Sequence, residues 1–206
     1  MKKMNISDAT DTTNATDATD TMNATDATDT MNATGTSNVT NEANVTKHKI
    51  YVSQNGVEPG MRLPVKLIKS CIRTALRLEN VDKPCEVSVL ITDDAGIREL
   101  NHKFREIDKP TDVLSFPMFE FIPPGWKEEA AETDPETGLF PLGEIVLSAE
   151  QVSRQAAEFG QTTGREAAYL TVHSVLHLLG YDHIDEASGK RQMRERETDI
   201  IKALAL

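Results

Sequence analysis

The sequence predicts an α+β fold: one domain in which a small mixed four-stranded sheet packs with about five helices. Three observations predict it. Segments of strand-like and of helix-like apolar periodicity occur in partly grouped rather than strictly alternating order, which argues against a doubly wound parallel sheet. All of them lie within residues 48–206, a length sufficient for one proper core. The most apolar helical segment carries histidines four residues apart, which makes it the expected central helix and the bearer of a metal site.

Residues 1–47 stand apart. They hold an imperfect nine-residue repeat over 8–16, 17–25 and 26–34, each close to D-A-T-D-T-M-N-A-T. Besides methionine, the only large apolar residues there are Ile6, Val39 and Val45, so no core can form and a disordered low-complexity tail is expected. A calcium-binding β-helix repeat would need paired glycines, and this one has none. The six N-x-S/T sequons at Asn5, Asn14, Asn23, Asn32, Asn38 and Asn44 follow from a repeat built of Asn, Ala and Thr. Lys2 and Lys3 are followed by no apolar h-region of a signal peptide.

The elements of the domain follow in order. Residues 50–53 alternate and read as a short strand. Over 64–78, Leu67, Ile68, Cys71, Ile72, Ala75 and Leu76 recur at helical spacing. Cys85, Val87, Val89 and Ile91 alternate with Glu86, Ser88 and Leu90 as a well-buried strand. Asp93 and Asp94 then cap a second helix with Ile97, Leu100 and Phe104 on one face. Residues 111–116 and 142–147 read as two further strands. Between them, 117–141 is a long loop holding the only tryptophan, of a size that is often functional or mobile. Ser148 with Gln151 forms a capping box for a helix to about Phe159, stopped by Gly160. Thr163 with Glu166 is expected to cap the next helix, which runs to Leu179 and packs on the sheet through Leu170, Val172, Val175, Leu176 and Leu179. A final polar helix spans 189–203, with Met193, Ile200 and Ile201 as its buried points.

Composition narrows the function. No apolar run approaches the ~18 residues of a membrane span. Cys71 and Cys85 fit no C-x2-C motif and read as small reduced core residues, consistent with cytosol. The tail holds three lysines against seven acids, a net of −4, which leaves −7 of the chain's −11 on the domain. A nucleic-acid partner would therefore need a local basic patch.

Three of the five histidines lie in residues 173–183, spaced H-x3-H-x2-G-x2-H. His173 and His177 share one helix face, and Gly180 can take the positive φ that turns the chain and brings in His183. Three neutral imidazoles with a fourth position left to water is the arrangement of a catalytic zinc. A structural site would close with a fourth ligand; His102 is distant in sequence but available for that role. In zinc peptidases of overlapping spacing, the residue after the first histidine is a Glu acting as general base. Here it is Ser174, which disfavours a peptidase. Asp182 is open to two readings: a substitute base, or a residue that orients a ligand or caps the turn.

A second constellation spans 101–117, where His102, Lys103, Arg105 and Lys109 form one of the few basic clusters of an acidic domain. Arginine is the side chain best shaped to fork onto a phosphate. The residues alone leave this open against a merely solvated helix end.

Together the two constellations resemble the YbeY family of bacterial rRNA-maturation endoribonucleases. The resemblance is carried by Arg105, by D-K-P-T-D-V-L-S-F-P at 108–117, by L-G-E-I-V-L-S at 142–148 and by the histidine stretch, and covers roughly 48–204. It implies a single-domain metalloprotein in which His173, His177 and His183 hold one Zn2+ per chain. It implies Arg105 and His173 as the catalytic residues, with RNA contacts expected at His102, Lys103 and Lys109. The implied activity is single-strand-specific RNA cleavage in 16S rRNA 3′-end maturation and ribosome quality control. Implied partners are rRNA and the ribosome or its proteins, in the cytoplasm and away from membranes. The family usually has Gly after the first histidine; the bulk of Ser174 is expected to crowd whatever approaches the metal. Two rivals remain: a zinc hydrolase of another substrate, such as a peptidase, and a non-catalytic ribosome-assembly factor stabilised by its metal.

Overall fold

The computed structural model describes residues 47–121, 124–127, 132–182 and 187–206, all within the unit Glu42–Leu206. The repeat lies outside the described residues. Four strands form the sheet: β1 (Lys49–Gln54), β2 (Cys85–Thr92), β3 (Val113–Pro117) and β4 (Phe140–Ser148). Their spatial order is β1-β2-β4-β3, with β1, β2 and β4 parallel and β3 antiparallel to β4, so the sheet is mixed as expected. Five α-helices accompany it among the described residues: α1 (Val65–Leu78), α2 (Asp94–Arg105), α3 (Ala149–Glu158), α4 (Thr163–Leu178) and α5 (Ala187–Ala203).

The period-2 pattern of β2 and β4 decides which way each face looks. Cys85, Val87, Val89 and Ile91 join Leu142, Ile145 and Leu147 in the main core, together with the buried stripe of α1 (Ile68, Cys71, Ile72, Ala75, Leu76). On the opposite face Val146 and Leu114 meet Ile97 of α2 in a smaller cluster. Phe104, expected on the same apolar face of α2 as Ile97, is 56% exposed and sets its ring edge-on against Phe116, with centroids 5.1 Å apart.

Helix α4 is central to this unit, packed against α1, α3, α5, β3 and β4. All five residues expected to seat it (Leu170, Val172, Val175, Leu176 and Leu179) are buried. Each contributes about 1.5–3 kcal/mol of burial, so tertiary packing holds this helix more than local propensity does. Its cap differs from the expectation by one residue. Thr162, not Thr163, has the extended backbone, and its hydroxyl accepts from Arg165 N. Glu166 does not reach back to the cap; it is buried and accepts from the Gln161 amide. Asp93 caps α2 as read, accepting from Gly96 N; Ser148 accepts from Gln151 N, but its own N–H donates to Asp112 O, so only half of the expected capping box forms.

The long segment before β4 is tied down where it is described. Phe119 and Trp126 lie 4.5 and 5.2 Å from the Phe140 ring, and Phe121 is 3% exposed. Trp126 Nε1 donates to Asp82 Oδ1 at 2.6 Å, and Gly125 N donates to Leu179 O at 2.9 Å. Cys71 and Cys85 are free and buried, and burial pushes each thiol up to about 12, with the Asp82 charge adding to it at Cys85. No helix among the described residues is long and apolar enough to cross a membrane.

Candidate functional site

One helical turn on α4 sets the site. His173 and His177 stand on the same face, their rings 4.6 Å apart and nearly perpendicular, and their Nε2 atoms are 3.1 Å apart. His173 Nδ1 lies 2.7 Å from Glu197 Oε1 on α5. A carboxylate only accepts, so Nδ1 carries the hydrogen of this contact and Nε2 is the ring nitrogen that faces His177. Two imidazole nitrogens converging this closely fit a shared cation: ligands on a tetrahedral zinc, with Zn–N of about 2.0–2.1 Å, are about 3.3 Å apart. His183, the third expected ligand, lies outside the described residues. Among the described residues no group of three His, Cys, Asp or Glu side chains converges on a metal position, which leaves the pair His173 and His177.

The chain leading to His183 is fixed by buried polar contacts. Gly180 has φ +82°, and a Cβ there would meet Phe121 O at 2.6 Å, so the turn after α4 requires glycine. Tyr181 is buried and donates its hydroxyl to Glu79 Oε2 at 2.7 Å. Arg196 of α5 donates to Glu79 Oε1 at 2.6 Å and to Leu78 O at 2.7 Å. Burial, with the Glu79 hydrogen bond second, pushes the Tyr181 hydroxyl up to about 12.

Arg105 belongs to the same place. It ends α2, and Glu106 in the left-handed region turns the chain out of the helix. The buried Asn101 holds the return by donating to Lys109 O at 2.7 Å. Arg105, Asp112, Ser115, Tyr169, His173, His177 and Asp182 line one cleft of about 660 Å³. The Arg105 guanidinium has no ion pair among the described residues, which leaves its fork of donors to the cleft. Asp112 is fully engaged: it accepts from Thr111 Oγ1 at 3.0 Å, Val113 N at 2.8 Å and Gln155 Nε2 at 3.0 Å. Burial, with the Asp112 charge adding to it against the lowering hydrogen bond from Gln161, raises the carboxyl of Glu166, two turns before His173 on α4.

Other residues singled out in the sequence lie elsewhere on the surface or in the core. His102, Lys103 and Lys109 are exposed and do not line the cleft. Lys103 sits over the Phe104 ring at 5.1 Å, beside a groove on the open sheet face, because successive residues at the end of α2 diverge around β3. His102 is therefore not placed to close a fourth coordination position. Ser174 is fully buried and is not a lining residue, so it does not crowd the cleft. One residue is 100° of helix rotation, which carries Ser174 off the histidine face and into the core, where its Oγ has no hydrogen-bond partner among the described residues.

Two residues of the site were not foreseen. Glu197 is 6% exposed and accepts from His173 and, at 3.3 Å, from the Tyr169 hydroxyl. The Tyr169 ring stacks over His173 at 6.1 Å. The signal for Glu197 was present in the sequence: a carboxylate four residues after Met193 and three before Ile200 falls on the buried stripe of an otherwise polar helix, where it needs a partner.

Comparison with known proteins places the chain in a family. Residues 53–205 match the family model described as Endoribonuclease YbeY. The Endoribonuclease YbeY of Caldicellulosiruptor saccharolyticus is 46% identical over 141 residues, covering 68% of this chain and 87% of that protein. That of Clostridium botulinum strain Hall is 44% identical over 165 residues, covering 76% and 98%. A solution structure of a Thermotoga maritima protein aligns with a TM-score of 0.49 and 28% identity, covering 75% of this chain and 88% of its own.

Proposed function

Because this chain belongs to the YbeY endoribonuclease family, we propose that it is a zinc-dependent, single-strand-specific endoribonuclease acting in 16S rRNA 3′-end maturation and ribosome quality control. In this reading residues 48–206 are the nuclease domain, residues 1–47 a low-complexity tail, and the ribosome in the cytoplasm the setting. The observation that carries the reading is the meeting of Arg105 and His173, distant in sequence, on one cleft.

His173, His177 and His183 would hold one zinc ion per chain. When bound, zinc supplies Lewis acidity and brings the pKa of a water toward about 7. The protein's own groups do the rest. Glu197 fixes the tautomer and ring orientation of His173, so that Nε2 is kept as a lone pair. Arg105 binds the phosphodiester through its fork of N–H donors and neutralises charge that builds on the phosphate oxygens. Asp112 braces the start of β3, which sets Ser115 along the cleft wall.

Elemental analysis of the purified chain, followed by cleavage of a 16S precursor RNA with and without chelator, tests the proposal. One zinc per chain and chelator-sensitive cutting confined to single strands are expected. Equal cutting by metal-free protein would sink the metal-dependent mechanism. Hydrolysis of peptides or esters in place of RNA would move the protein to another substrate class.

A further inference from the structure

We infer that Lys190 and Arg194 of α5 form a second phosphate-binding position for single-stranded RNA, separated from the Arg105 cleft by the wall of Tyr169 and His173. The inference rests on the RNA-cleaving reading above and deepens it.

A second cavity of about 310 Å³ is lined by Tyr169, His173, Lys190, Met193, Arg194 and Glu197. Tyr169 and His173 also line the main cleft, so the two cavities share one wall. A strand with one phosphate at Arg105 crosses that wall to reach α5. Tyr169 is 40% exposed with its ring stacked on His173, which gives a base a face to lie on at the crossing.

The charge pattern points the same way. Lys190, Arg191 and Arg194 are exposed in the first turns of α5, on a domain whose net charge is −7 by sequence. Arg191 has an acidic neighbour, Glu195, at 3.8 Å. Lys190 and Arg194 have no ion pair among the described residues. They sit four residues apart on one helix face, where two like charges repel. A phosphate between them turns that repulsion into attraction, and Arg194 offers it a planar fork. Glu197, the acid nearest in the cavity wall, is already engaged by His173 and Tyr169. Lys190 and Arg194 thus offer an acidic domain a local basic position beside the histidine pair.

The test is the salt dependence of kcat/KM on a single-stranded RNA substrate, using the full zinc-loaded chain. Each phosphate contact to a single strand contributes about −0.7 to the slope of log affinity against log salt. The double variant Lys190→Gln/Arg194→Gln removes that one phosphate position and should flatten the slope by about 0.7 and raise KM, with zinc content unchanged. Lys66→Gln/Arg73→Gln, which removes the same charge from exposed positions on α1, should leave the slope as it is. An unchanged slope in the α5 variant, or an equal change in both variants, overturns the subsite while RNA cleavage by the wild type stands. A wild-type protein that cuts no RNA overturns the proposed function, and this inference with it.

Discussion

Glu197 reaches across the α4–α5 interface to place Oε1 2.7 Å from His173 Nδ1, joining residues 24 positions apart in the chain. A carboxylate that is 6% exposed would be costly without partners, and here the partners are a histidine and Tyr169. The contact fixes which nitrogen of His173 faces His177. It also makes α5, a helix with little apolar content, part of the histidine site.

Replacing that carboxylate should therefore act on the metal first. Glu197→Gln is expected to weaken zinc affinity about 10–100-fold. Competition with a chromophoric chelator reads the affinity directly. An unchanged constant would mean that Glu197 only packs.

The two halves of the cleft should fail in different ways. His173→Ala is expected to lose both metal and cleavage. Arg105→Glu should retain its zinc while kcat/KM falls at least about 10²-fold, since a donor to developing charge is replaced by an anion. Elemental analysis alongside a cleavage assay separates the two. Loss of zinc from the Arg105 variant would contradict the separate roles.

Ser174 offers a test in the core. Its buried hydroxyl has no partner among the described residues, so Ser174→Ala should stabilise the protein by about 1 kcal/mol in urea unfolding. Cleavage should be unaffected, because the side chain does not line the cleft. A lower stability, or an altered KM, would count against the placement of Ser174.

Alkaline pH should destabilise the fold. Tyr181 is raised from 10.0 to about 12, and Cys71 and Cys85 from 9.0 to about 12. For each group the unfolded chain loses its proton first, so the contribution is complete below the unfolded pKa and declines as pH rises toward 12. Stability should be level in these terms up to about pH 8 and fall between pH 9 and 12, by about 1.4 kcal/mol per unit for each titrating group. Urea midpoints across that range check the sign; a rise would contradict it.

Most of the fold could be read from the chain because its determinants are local. The alternation in 85–91, the helical spacing in 64–78 and the caps at Asp93 and Ser148 each involve residues a few positions apart. The one-residue shift at Thr162 shows the limit, since two adjacent threonines present the same local signal. The pairing of His173 with His177 was legible for the same reason: i and i+4 share a helix face whatever surrounds them.

What the sequence determined alone was thus the class of element, the shared helix face of His173 and His177, and the family. Only the tertiary structure decided which neighbours serve the site. Arg105 faces the cleft while Lys103, two residues away, faces the opposite side of the sheet. Ser174, next to His173, is in the core, and Glu197, from a separate helix, is in contact with His173. A helix turns each residue by 100° from the last, and packing then chooses which of those directions meets a partner. That choice depends on elements far along the chain, so periodicity places a residue on a face without saying what the face will touch.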